Sequence, residues 1–154
     1  MRELTELEKQ NEKFLKDKGI QFTIVMLTDN ILNHSIFDAS KQIVRYLKEQ
    51  GIHDFSVQEN GKEARILVTT HILTFKDDIL SQTSMYKAGT RGDKRMWFGA
   101  KVLPFAENGN IFVIIAYKGE LFIISESKLD LELCFCTSIN NPIKRFLRTF
   151  LNVK

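Results

Sequence analysis

A mixed, mainly β protein is predicted, with an antiparallel, barrel-like sheet of about seven strands, one central helix and a helix at each end. Three features of the sequence predict it. The apolar period shortens from 3.6 to 2 after Gly51 and stays short to about residue 124. Ile111–Tyr117 and Glu120–Ile124 are near-continuous apolar runs parted only by Lys118-Gly119, as in the most buried hairpin of a sheet. Strands follow one another through turn signals such as Asn60-Gly61, without the alternating helical crossovers of a doubly wound fold.

Taken in order, residues 4 to about 18 read as a helix with Leu4, Leu7, Phe14 and Leu15 on one stripe and Gly19 as its stop. Ile20–Leu27 alternates as a strand, and Thr28–Ser35 is a turn-rich connection. Ser35-Ile-Phe-Asp38 resembles a capping box opening the central helix, whose face is Phe37, Ile43, Val44 and Leu47 and whose stop is Gly51. His53–Gln58 reads as a short strand, Glu59–Lys62 as a hairpin turn, and Ala64–Leu73 as a long strand. A second hairpin spans roughly Ile79–Phe98, and Pro104–Asn110 is a loop before the apolar pair. Leu131–Cys136 adds a last strand. Asn141-Pro142 opens a terminal helix with Ile143, Phe146, Leu147, Phe150 and Leu151 on one face.

The chain's 154 residues suit one domain, and 44% apolar with 27% charged residues is a globular balance. No apolar run approaches the roughly 20 residues of a membrane span, and Met1–Lys9 is too charged for a secretory signal. Cys134 and Cys136, two apart on the expected strand, would share a face where a mutual disulfide fits poorly. A cytoplasmic protein with free thiols follows.

Charge is the first functional signal. Within Gln82–Phe98 stand Lys87, Arg91, Lys94 and Arg95 against the single acid Asp93, a local +3 that equals the net charge of the whole chain. Gly89 and Gly92 mark the turn, while Tyr86 and Trp97 fit paired strand positions. Such a tip suits a polyanion: cations neutralise phosphates, and arginine can read guanine through two hydrogen bonds. Gln82, Ser84, Tyr86 and Thr90 add hydrogen-bonding groups for bases or backbone, and Trp97 braces the arm. An ordinary solvated hairpin is the alternative. Gln58, Asn60, Lys62 and Arg65 make a candidate second arm of similar chemistry.

Enzymatic signals are weaker. Leu121–Lys128 ends an apolar strand in Glu126-Ser-Lys128, the second half of a metal-dependent nuclease signature, but its upstream acidic half has no convincing counterpart. His34, His53 and His71 lack metal-ligand spacing, and neither a Gly-x-Ser-x-Gly elbow nor a Gly-rich loop opening a helix is present. No cofactor, metal site or catalytic residue is expected.

Phe37-Asp-Ala-Ser-Lys, Tyr46–Phe55 and Ser84–Phe98, followed by the Ile111–Ile124 hairpin, resemble DNA-recognition domains of prokaryotic restriction enzymes. The order of elements over residues 20–136 is similar to the B-three fold shared by plant transcription factors and by EcoRII- and BfiI-type endonucleases. It most resembles the N-terminal domain of LlaJI-type McrB homologues. The resemblance implies a seven-stranded open β-barrel, or pseudobarrel, spanning residues 1–137 with two arms that grip the major groove. It implies site-specific binding of double-stranded DNA without catalysis, with GTPase and nuclease functions in other segments or partner subunits. The later arm corresponds to Gln82–Trp97, and the earlier to Gln58–Arg65 or Thr28–Ser35. Residues 138–154 would begin a linker, and the isolated domain would be a monomer. A small nuclease using Glu126 and Lys128, or an interaction module docking through the terminal helix, are the competing expectations.

Overall fold

The computed structural model describes residues 2–151. Its strands are β1 Thr23–Met26, β2 Phe37–Asp38, β3 Ile66–Leu73, β4 Asp78–Lys87, β5 Lys94–Trp97, β6 Ile111–Tyr117 and β7 Glu120–Ser125. Its helices are α1 Glu6–Asp17, α2 Asp29–His34, α3 Lys41–Glu49, α4 Leu131–Cys136 and α5 Pro142–Phe150. All seven strands share one sheet in the order β1-β6-β7-β3-β4-β5-β2. The edges β1 and β2 are joined through the short α2 segment, so the sheet must curl to bring them together. The result is an open half-barrel, the expected pseudobarrel. One expectation changes: β3 pairs with β7 in parallel, Thr70 beside Leu121, because the chain completes β4, β5 and β6 before returning.

Burial explains the apolar runs. One face of the sheet packs Val68, Ile72, Met85, Met96, Phe112, Ile114 and Ile123 against Ile43, Tyr46 and Leu47 of α3. The other packs Val113, Ile115, Phe122 and Ile124 against α1, α4 and α5. Strands β6 and β7 are therefore covered on both faces and need no polar alternation. In β4, Ser81, Thr83 and Met85 are buried while Leu80 and Gln82 are exposed, because one side of that strand meets solvent.

Four local expectations are corrected. The Thr28–Ser35 connection contains α2, capped by the Thr28 hydroxyl accepting from the Ile31 N–H at 3.2 Å. The Ser35–Asp38 capping box does not form. Ser40 caps α3 instead, accepting from the Ile43 N–H, and Phe37 leaves the helix for β2, where it pairs with Met96 and packs on Phe98. His53–Gln58 is not a strand: Asp54 caps a single 3-10 turn, Phe55–Val57, that drops Phe55 into the core. Leu131–Cys136 is helical because Asp130 accepts from the Leu133 N–H, which offers the chain a helix start that apolar spacing over six residues does not reveal. On that helix Cys134 is buried and Cys136 exposed, so the two thiols do not share a face, and both are free.

Within residues 138–151, expected to open a linker, 138–140 are exposed but α5 is packed into the domain. Asn141 caps α5 with Pro142 in its first turn, and the Phe146 ring stacks on Phe122 at 4.0 Å between centroids. The apolar face of α5 is thus occupied within the chain. Residues 152–154 of the expected linker lie outside the described residues.

Gly99, just beyond β5, sits at φ +91, and a Cβ there would fall 2.5 Å from Ser81 Oγ and 3.0 Å from the Gln82 carbonyl oxygen. Gly119, at φ +78 in the β6–β7 turn, has no atom within 4 Å of such a Cβ. We expect Gly119→Ala to cost about 1–2 kcal/mol, from backbone strain alone. Gly99→Ala should cost about 3–4 kcal/mol, strain and collision combined. Urea midpoints measure both, and equal losses would refute the collision argument.

Candidate nucleic-acid interface

The basic stretch folds as the β4–β5 hairpin. Ser84 faces Trp97, Met85 faces Met96, Tyr86 faces Arg95 and Lys87 faces Lys94. β3 begins at Ile66, opposite Met85, so the last rungs are flanked instead by β2 and Ala39 on the β5 side and by Asn60-Gly61 on the β4 side, with the turn at 88–93 beyond them. The turn is closed by bonds from the Ala88 N–H to the Asp93 carbonyl and from the Gly92 N–H to the Ala88 carbonyl. Strand alternation divides the candidate residues. Gln82, Ser84, Tyr86 and Arg95 lie on one face, Lys87 and Lys94 on the other, and Thr90 and Arg91 in the exposed turn. Trp97 is buried and braces the base of the hairpin. Tyr86 is only 7% exposed, with the Lys62 ammonium 5.9 Å from its ring centre, so it belongs to that base rather than to a contact surface.

Gln58–Arg65 does not form the expected hairpin. Asn60 forms a parallel bridge with Lys87, the Gly61 N–H donates to the Lys87 carbonyl at 2.7 Å, and Asn60 Nδ2 donates to the Gly89 carbonyl at 3.0 Å. Gln58 Nε2 donates to the carbonyls of Ala64 and Met85, while its Oε1 meets His53 Nε2. These amides are engaged in splinting the β4–β5 hairpin. Lys62 and Arg65 remain exposed beside it, and Arg65 also donates to the Lys62 carbonyl. An Asn-Gly pair signals a tight turn whether or not two strands flank it, and here the partner is a distant strand.

The other segment considered for an earlier arm, Thr28–Ser35, lines a groove of about 520 Å³ at the open seam between β1 and β2. Asn30, His34, Asp38, Gln42 and Arg95 are among the residues that line it. Asp38, Asn30 and His34 carry no sequence signal for this site, because only the curl of the sheet brings them to Arg95.

The cations of the hairpin differ in their surroundings. Arg91 is 81% exposed and reaches Asp93 Oδ2 at 3.1 Å. Arg95 is 36% exposed and lies between Asp38 (Nε to Oδ1, 3.4 Å) and Asp93 (Nη2 to Oδ2, 3.7 Å). Lys87 and Lys94 have no ion pair among the described residues.

The nuclease pair does not converge. Glu126 is fully buried, and neither of its carboxyl oxygens has a hydrogen-bond partner. Burial first, then the Glu12 carboxyl alongside, pushes Glu126 up to about 10, so at neutral pH it holds its proton. Lys128 is exposed and pairs with Glu107. Nearby Glu8 behaves oppositely. Arg2 grips it through two bonds of 2.7 Å and, with Ser127 and the Thr5 N–H, holds its carboxyl down at about 2 despite burial.

His71 lies flat on Phe122 between Asp78 and Glu120, at 2.8 and 2.9 Å. Burial lowers its pKa, but the two carboxylates raise it further, leaving it above the ordinary value. It is a cross-strand clamp, paired to acids on both sides. Among the described residues no three His, Cys, Asp or Glu side chains are grouped to hold a metal ion, and no helix is long and apolar enough to cross a membrane.

No family model, curated protein or solved structure gives a significant match.

Proposed function

We propose that this domain recognises double-stranded DNA site-specifically and serves as the targeting part of a cytoplasmic restriction system. GTPase and nuclease activities would reside in other segments or subunits, with the domain itself acting as a monomer. The observation that carries this reading is the β4–β5 hairpin, which concentrates the chain's net positive charge on a splinted base. A major groove about 12 Å wide admits a two-stranded ribbon, and a ribbon held from behind enters without losing much conformational freedom. Lys87, Arg91 and Lys94, with Lys62 and Arg65 beside them, meet phosphates; Gln82, Ser84, Thr90 and Arg95 offer groups to base edges.

Selection from a randomised duplex pool, followed by fluorescence anisotropy at two salt concentrations without magnesium, tests the reading. One enriched short sequence, with affinity falling steeply in salt, is the expected result. Weak binding with no enriched sequence would overturn it.

A further inference from the structure

We infer that Arg95 is the guanine-reading residue of the hairpin and that Asp38, contributed by the separate strand β2, is its positioning residue. This rests on the DNA-recognition reading above and assigns roles within that site. Arg95 is the more enclosed of the hairpin's two arginines, and its guanidinium makes no hydrogen bond among the described residues. Its guanidinium instead lies in ionic contact with two carboxylates on different segments, Asp38 across the β2–β5 pair and Asp93 in the turn.

That setting is wrong for a phosphate and right for a base. Arg95 and Arg91 share Asp93 while Asp38 adds a second acid, so these four groups sum to about zero and Arg95 offers a phosphate less unpaired charge than Lys87 or Lys94 does. A guanine edge is neutral and asks for two N–H donors held in a plane, O6 and N7 being its acceptors. Two acids that restrain the guanidinium from different sides reduce the freedom lost when it docks, while its N–H groups remain available to donate. Arg91, extended from the turn and touching only Asp93, has the reach and mobility of a phosphate contact. Asp38 belongs to a two-residue edge strand and its side chain is mostly exposed, so replacing it leaves the core untouched.

The test uses the duplex selected by the wild-type chain and a set of duplexes with each G·C pair replaced in turn. Wild type, Arg95→Ala, Asp38→Asn and Asp38→Ala are titrated against all of them. Arg95→Ala should abolish discrimination at one guanine position, a loss of about 5- to 150-fold. Both Asp38 variants should weaken discrimination at that same position, by about 3- to 30-fold. Their affinity for unrelated duplex should hold or rise, because an acid has been removed.

Discrimination unchanged in the Asp38 variants, with affinity rising equally on every duplex, would show that Asp38 acts only as a charge and would overturn the inference. Loss in Arg95→Ala spread evenly over all sequences would make Arg95 a phosphate contact, with the same consequence. Wild type failing to bind any duplex is a separate outcome, which removes the DNA reading itself.

Discussion

Replacing Lys87, Arg91 and Lys94 together by glutamine lowers affinity for the selected duplex on the order of 100-fold near 0.1 M salt. The slope of log affinity against log salt becomes shallower by about 2.7, since each neutralised phosphate contributes roughly 0.9. The three side chains stand on the last rung and the turn of the hairpin, outside both cores, so the thermal transition of the protein stays where it was. Glutamine keeps the length and polarity of the side chains and removes only the charge. A loss of affinity without a change of slope would place the cations away from the backbone and send the interface elsewhere on the sheet.

Substituting Glu126 by glutamine makes the protein more stable at alkaline pH, by roughly 2–4 kcal/mol at pH 8. The folded carboxyl titrates far above its ordinary value of 4.5, because burial and the adjoining Glu12 oppose its charge. A group raised in the folded state gives its full contribution below the unfolded value and loses it as pH climbs towards the folded one. Stability of the native sequence should therefore decline from about pH 5 to pH 10 on this account. Glutamine has almost the same shape, and its amide donates to the Glu12 carboxyl with no proton to take up. The two proteins should be equally stable near pH 4 and diverge above it in urea titrations at pH 5, 7 and 9. A decline of the same steepness in both would refute the protonated pair. Glu8 sets the acid side of the profile, because its lowered carboxyl gives stability that disappears as pH falls from about 4.5 towards 2.

Much of this architecture is legible from local patterns. α1, α3 and α5 show through their apolar stripes, and β6 and β7 through runs that need no alternation because both faces are covered. What local patterns misplace are short pieces whose form is decided at a distance. Ser35 and Ser40 are both good helix starts, and the choice between them turns on Phe37 reaching Met96 and Phe98. Cys134 and Cys136 read as strand neighbours until Asp130 starts a helix. At the site, the β4–β5 hairpin announces itself by charge and turn chemistry. The service role of Asn60 and the approach of Asp38 to Arg95 do not, since each depends on strands that meet only in the folded sheet.

The sheet order also says when this chain can fold. β1 finds its partner in β6, Thr23 opposite Ile114, and β2 finds its partner in β5, so both must wait for strands far along the chain. A ribosome-bound chain that has not yet released Tyr117 holds β1 without a ladder and α3 without much of the surface it covers. Such long-range pairing raises contact order and slows folding. Assembly of the half-barrel is accordingly one late, cooperative event, and the emerging N-terminal third is the segment most exposed to premature association.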